Sequence, residues 1–336
     1  MYNGQKVLDV HGHMSTPPHF RAYAYNLIAL RSPAEGIGAD IPEEALDAAQ
    51  KRHLKVMDER NIDLQMLSPR PVAYMHWEAA FLVAHWTRVT NDTIHKITQM
   101  YPDRFVGIAQ LPQNSKIATS NCVAELERAV NDYGFVGAIV NPDPAGDRAT
   151  PGAHTEYWYP LYEKAQQLDV PLIIHPSISR DPRIEIVPHS YQINNVTEEF
   201  IWTQLMLHSD IFKTFPRLKV VVCHCGGALS RFIERDARHS GELEGMKNNL
   251  FFDTCAYDET FLSAAIKQKG VDQMLFGTEA PGSGGAIRPD TGRPSDDMVP
   301  IIDGLDFLST EDKLKIFNGN VRKVFTRLKV PEAVAA

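Results

Sequence analysis

The chain has 336 residues, 43% hydrophobic and 23% charged, with a formal net charge of -8 at pH 7. That length suits two average domains or one large α/β barrel, and the acidic balance argues against nucleic acid or an anionic membrane surface as a partner. No stretch approaches 18 uninterrupted apolar residues, and the opening MYNGQKVLDV has no signal-type apolar run, so the expected protein is cytoplasmic with no membrane span.

In chain order, the first short apolar run is KVLDVH (6–11). It leads into GHMSTPP, so His11 and His13 close a predicted strand with only Gly12 between them. A long connection (14–41) follows, then PEEALDAAQKRHLKVMDERN, which opens on Pro and acids and ends on Asn as helices do. The second strand is IDLQMLS (62–68), followed by SPRP with Arg70 and then by His76. RFVGIAQL (104–111) is the third strand, AELERAVNDYG a helix closed by Gly134, and FVGAIVN (135–141) the fourth strand. TEYWYPLYEKAQQLD reads as a helix before the fifth strand, VPLIIH (170–175). After His175 a long segment (176–200) carries His189, Glu198 and Glu199 ahead of a helix predicted to begin near Phe200. The last three strands are LKVVVCH (218–224), NLFFDTC (249–255) and DQMLFGTE (272–279), with the helix DETFLSAAIKQKG between the last two. A Gly-, Pro- and Asp-rich stretch (280–297) comes next.

These runs are β-branched and nearly continuous rather than alternating, as in strands buried on both faces of a parallel sheet. Eight of them with helical spacers predict one α/β domain over residues 1–336, a (β/α)8 TIM barrel with lid-like insertions after strands 1, 5 and 8. A doubly wound sheet is the rival, but no G-x-G-x-x-G follows the first strand. Cys122, Cys223, Cys225 and Cys255 form neither a C-x-x-C zinc pair nor a disulfide framework, which fits a reducing compartment. No G-x-S-x-G elbow or P-loop is present, so serine-hydrolase and nucleotide chemistry are not expected.

Active sites of such barrels lie at the C-terminal ends of the strands. His11 and His13 share a face by the period-two rule and form a ready chelate for a divalent ion. His175, His224 and Glu279 fall at three other strand ends. Five metal-capable side chains at one rim favour a metal site over core polar residues, since buried imidazoles and carboxylates are costly unless paired or coordinated. Arg70, held between two prolines after strand two, suits bidentate capture of a substrate carboxylate. Glu198 and Glu199 read as helix N-terminal acids.

Together H-x-H at 11–13, LIIHPS, VVVCHCGGALSRF and MLFGTEAPGSG resemble the amidohydrolase superfamily across nearly the whole chain. The similarity lies in the branch containing aminocarboxymuconate-semialdehyde decarboxylase. Within it the chain is most like the subgroup of 4-oxalomesaconate hydratase and a meta-cleavage-product C–C hydrolase. The resemblance implies one divalent ion held by His11, His13, His175 and Glu279, zinc in most members, with manganese as the alternative because nitrogen and oxygen donors accept several first-row ions. It also implies His224 as the acid/base residue, a catalytic glutamate near Glu199, and a homodimer. His76, His189 and Glu199, with Arg70, are the candidate substrate-binding residues. One departure is Glu279, where decarboxylases of the branch carry aspartate; this favours activation of water. The leading reading is therefore a metal-dependent hydrolase that cleaves a C–C bond in a small carboxylated aromatic ring-cleavage product. The alternatives are a non-oxidative decarboxylase and a hydratase of an oxalomesaconate-like acid; a barrel that only binds small acids would not need His224 beside a complete ligand set.

Overall fold

The computed structural model describes residues 1–30, 39–187, 190–232, 236 and 246–330. Each apolar run contributes one strand: β1 (Leu8–His13), β2 (Leu64–Ser68), β3 (Phe105–Gly107), β4 (Ala138–Val140), β5 (Leu172–Ile174), β6 (Val220–Val222), β7 (Leu250–Asp253) and β8 (Met274–Leu275). All pair in parallel in sequence order, β1 to β3 in one sheet and β4 to β8 in another. Two seams join the sheets. At the first, Ala109 N donates to Gly137 O at 2.9 Å and Ile139 N to Ala109 O at 2.8 Å. At the second, Val10 N donates to Phe276 O at 2.9 Å and Glu279 N to His11 O at 2.7 Å. The result is the closed (β/α)8 barrel expected from the sequence.

The second seam is stitched by a fully buried carboxylate. Asp9 accepts from His11 N (2.9 Å) and Thr278 N (3.1 Å) on one oxygen, and from Gln65 Nε2 (2.8 Å) and Thr278 Oγ1 (2.6 Å) on the other. It thereby links β1, β2 and the chain after β8.

Alternation along the strands sorts their apolar residues into two layers. Leu8, Val10, Leu64, Met66, Ile108, Ile139, Ile173, Val221, Phe251 and Leu275 fill the barrel interior. The opposite faces pack on the helices α1 (Pro18–Leu30), α2 (Glu43–Glu59), α3 (Ala80–Met100), α4 (Ser120–Asn131), α5 (Tyr159–Leu168), α7 (Ser190–Leu207), α8 (Ile211–Thr214) and α9 (Glu259–Lys269), while the short α6 (Pro182–Glu185) lies in the connection after β5 beside α7. Each buried Leu, Ile, Val or Phe in these layers contributes about 1.5–3 kcal/mol relative to exposure. Among the described residues no helix is long and apolar enough to cross a membrane.

Three expectations change. The segment after β5 is not a loop up to Phe200: α7 begins at Ser190, which places Glu198 and Glu199 in mid-helix rather than at its start. The first half of α7, SYQINNVTEE, has no apolar stripe to announce a helix; burial of Asn194, Glu198 and Glu199 against the barrel top supplies its packing instead. The connection after β1 likewise contains α1, whose Phe20 ring packs on Trp86 with centroids 4.5 Å apart, while residues 31–38 lie outside the described residues. Finally, β8 ends at Leu275, so Glu279 stands four residues beyond the strand rather than on its end.

Candidate metal centre

Leu8 and Val10 point into the barrel, so strict alternation would turn His11 outward. A register shift between Asp9 and Gly12 intervenes in the β1–β2 pairing, and such an irregularity re-aims the side chains that follow it. His11 and His13 then enter one cluster with His175, just past β5, and His224, two residues past β6. Ring centroids are 5.2 Å apart for His11–His13, 5.1 Å for His11–His175, 5.1 Å for His13–His175 and 5.2 Å for His175–His224. The residue between the first two is small for a packing reason: a Cβ on Gly12 would lie 2.2 Å from Gln65 Cδ. Gln65 is itself held by His53, Asp9 and the Ala280 carbonyl.

Each of three imidazoles has its Nδ1 engaged. His11 Nδ1 donates to Asp253 Oδ2 at 2.7 Å, and His175 Nδ1 to Pro176 O at 2.7 Å. His13 Nδ1 donates to Ser68 Oγ at 2.9 Å, whose own hydrogen goes to Gly12 O. With the Nδ1 proton so placed, the Nε2 lone pair of each ring is free, and all three Nε2 atoms are buried without a hydrogen-bond partner. Burial lowers the His13 pKa to about 4, an effect Glu279 only partly offsets. Burial, reinforced by the neighbouring imidazoles, drives His175 well below its ordinary value. Neutral imidazoles with Nδ1 pinned by an oxygen and Nε2 unpaired are the form that binds a cation.

Glu279 closes the group. Its Oε1 lies 3.7 Å from His13 Nε2 and its Oε2 4.0 Å from His224 Nε2. Burial alone would raise its pKa, but His13, His224 and His11 hold it well below the carboxylate range. Donor atoms of His11, His175, His224 and Glu279 all lie within 4.8 Å of one another, so His224 stands in this group in place of His13. Surroundings separate the two differently. His13 Nε2 is among the buried unpaired atoms, whereas the His224 side chain is 16% exposed and its Nδ1 donates to the buried carboxylate of Glu199 at 2.7 Å. Burial by itself lowers the His224 pKa; Glu199, with Glu279 and Asp253, outweighs it and raises the value. Burial raises Glu199, and His224 opposes that rise.

Of the other predicted residues, Arg70 is half-buried and donates through Nη2 to Pro281 O at 2.8 Å, two residues beyond Glu279. His76 is buried, stacked on Tyr74 and hydrogen-bonded to Leu111 O at 3.0 Å, with Nδ1 unpaired. His189 lies outside the described residues. Glu198, unlike Glu199, lines a separate cleft of about 200 Å³ with Asp143, Arg148 and Trp202. Sequence reasoning missed Asp253 and Ser68, the anchors of His11 and His13. Their signal was only that a buried strand ends in a polar residue, in NLFFD as in QMLS.

Comparisons with known proteins give a family model and several relatives. The family model described as "Amidohydrolase" matches residues 8–327. The chain is 31% identical to 2-keto-4-carboxy-3-hexenedioate hydratase of Sphingobium sp. (strain NBRC 103272 / SYK-6), with 96% of each chain covered. It is 28% identical to gamma-resorcylate decarboxylase of Polaromonas sp. (strain JS666 / ATCC BAA-500), over 69% of this chain and 77% of the relative. Among solved structures it resembles 4-oxalomesaconate hydratase from Rhodopseudomonas palustris, with a TM-score of 0.83, 30% identity and 96% of each chain covered.

Proposed function

The chain belongs to the amidohydrolase family of enzymes, and on that footing we propose that it is a metal-dependent lyase that adds water to a small carboxylated keto acid derived from aromatic ring cleavage. The observation that carries the proposal is the set of three buried, unpaired Nε2 atoms of His11, His13 and His175 facing the carboxylate of Glu279. Buried polar atoms without partners are costly, and three unpaired imidazole nitrogens beside a carboxylate fit a divalent ion, zinc or manganese, better than they fit each other. Such an ion supplies Lewis-acid activation of water and of a substrate oxygen.

The remaining work falls to side chains of this chain. Asp253, Ser68 and the Pro176 carbonyl hold the three imidazoles in the Nε2-free form. Glu199 fixes the His224 ring by its Nδ1–H and leaves Nε2 to exchange a proton with the substrate carbon or with water. Arg70, near Glu279 and half-buried, would hold a substrate carboxylate and so set which carbon faces the activated water. Addition then places hydroxyl on one alkene carbon and a proton on its neighbour.

The hydratase relatives, similar over 96% of the chain, favour this reading over the carbon–carbon hydrolysis preferred from the sequence, although hydrolysis would call on the same residues. Decarboxylation is the second reading, favoured by the resorcylate decarboxylase similarity. Incubating candidate ring-cleavage acids in ¹⁸O-labelled water and weighing the products tests all three. One intact labelled product is expected. Loss of carbon dioxide without label would establish the decarboxylase, and two fragments with label in a new carboxylate would establish the hydrolase.

A further inference from the structure

The two oxygens of Glu279 meet different surroundings. Oε2 accepts hydrogen bonds from Ser283 Oγ at 2.6 Å and Tyr257 OH at 3.1 Å and lies 4.0 Å from His224 Nε2, whereas Oε1 faces the His13 ring 3.7 Å away. The backbone is shaped to allow this. Glu279 sits at φ +60°, a left-handed conformation rare for a side-chain-bearing residue. The chain then folds back so closely that a Cβ on residue 282 would lie 2.1 Å from Glu279 O. Only glycine fits there, and the fold-back delivers the Ser283 hydroxyl to the carboxylate four residues before it. Tyr257 arrives from the far side, on the loop after β7; its hydroxyl also reaches Thr278 O at 3.1 Å, and its carbonyl is gripped by the Arg288 guanidinium.

We infer that Tyr257 and Ser283 are positioning residues that restrict Glu279 to a single donor oxygen, Oε1, and that this restriction is why the site carries glutamate rather than aspartate. The inference rests on the metal-holding role proposed for Glu279. A carboxylate free at both oxygens can take an ion with both and occupy a coordination place that substrate or water needs. Hydrogen bonds from two hydroxyls to Oε2 oppose that. An aspartate, shorter by one carbon–carbon bond of about 1.5 Å, would reach either the histidine cluster or the two hydroxyls, not both. The pattern Tyr257 with Glu279-Ala-Pro-Gly-Ser283 is then one unit, spread over the loops after β7 and β8.

The test uses Co²⁺ as the probe, added to metal-free full-length protein, with its visible absorption spectrum and its Kd by chelator competition as readouts. Variants are S283A, Y257F, the double variant, S283T as the conservative rescue, and E279D. Expected results are an altered spectrum of weaker bands, signifying higher coordination, and a Kd shifted about tenfold or more in the double variant. S283T should keep the wild-type spectrum. E279D should start from an altered spectrum that adding S283A no longer moves. Ser283 is exposed, so S283A carries the test if Y257F fails to fold. A folded S283A variant and a folded double variant with wild-type spectrum and Kd would overturn the inference while leaving the metal site standing. Wild-type protein that takes up no Co²⁺ would remove the metal reading, and this inference with it.

Discussion

Replacing Asp253 with Asn tests how the site prepares its first donor. Asp253 is fully buried; one oxygen accepts from His11 Nδ1 at 2.7 Å, while the other accepts from Cys255 N at 3.0 Å and, more weakly, Cys225 N at 3.4 Å. Asparagine has one oxygen and one NH2 for these two sides. If its oxygen stays with the Cys255 N–H, the NH2 faces His11 and forces Nδ1 to accept, so the ring proton moves to Nε2 and blocks the lone pair. If the amide flips, His11 keeps its partner but buried donors confront each other at Cys255. Either arrangement leaves buried polar groups unpaired, at about 1–3 kcal/mol. In the first case the loss appears in metal affinity, as roughly a 10–100-fold rise in Kd, the usual scale for an outer partner of a ligating histidine. In the second it appears in stability. Competition with a chromophoric chelator measures one and urea unfolding the other. A folded D253N protein whose Kd stays within about threefold and whose stability stays within about 0.5 kcal/mol would refute the assigned role of this carboxylate.

His224→Asn should retain its metal while kcat falls by about 10²-fold or more; loss of the metal on elemental analysis would make His224 a ligand. Glu199→Gln should lower kcat as well, through a misdirected His224 ring, with metal content unchanged, and steady-state kinetics beside metal analysis will show whether it does. Arg70→Ala should raise KM for carboxylated substrates by the equivalent of about 1.5–3 kcal/mol for a charged hydrogen bond, and an unchanged KM would return it to a structural role on the Pro281 carbonyl. Gly12→Ala should destabilise the fold by about 1–3 kcal/mol, because Gln65 is too firmly hydrogen-bonded to yield to the new Cβ; equal urea midpoints would contradict this.

What the sequence disclosed was the part carried by local pattern. Eight apolar runs became eight strands, and His11, His13, His175, His224 and Glu279 come together at one end of the barrel, although Glu279 lies four residues past its strand. The reason His11 faces inward was not legible, since simple alternation from Val10 points it the other way and the register shift in β1 corrects it. The anchors of the imidazoles were hidden for another reason. Asp253 lies 242 residues from His11, Ser68 55 from His13, and Glu199 25 from His224. Partnerships at such distances depend on how the barrel closes, not on spacing. Glu199 itself was noticed, as a helix-start acid and, through the resemblance, as a site candidate, but its partner His224 was not legible, because nothing in SYQINNVTEE marks the buried side of α7.

The seam between β1 and β8 joins the two ends of the fold: Asp9 and Thr278, bonded across it, are 269 residues apart in the chain. His11 and His13 stand on one side of that seam and Glu279 on the other. An ion gripped by all three would therefore act as a latch on the finished ring, since no partly assembled chain brings those ends together. By mass action a ligand present at a hundred times its Kd protects the native state by about 2.7 kcal/mol. The supply of metal in the cell would then govern how long each molecule survives proteolysis, as well as how fast it turns over.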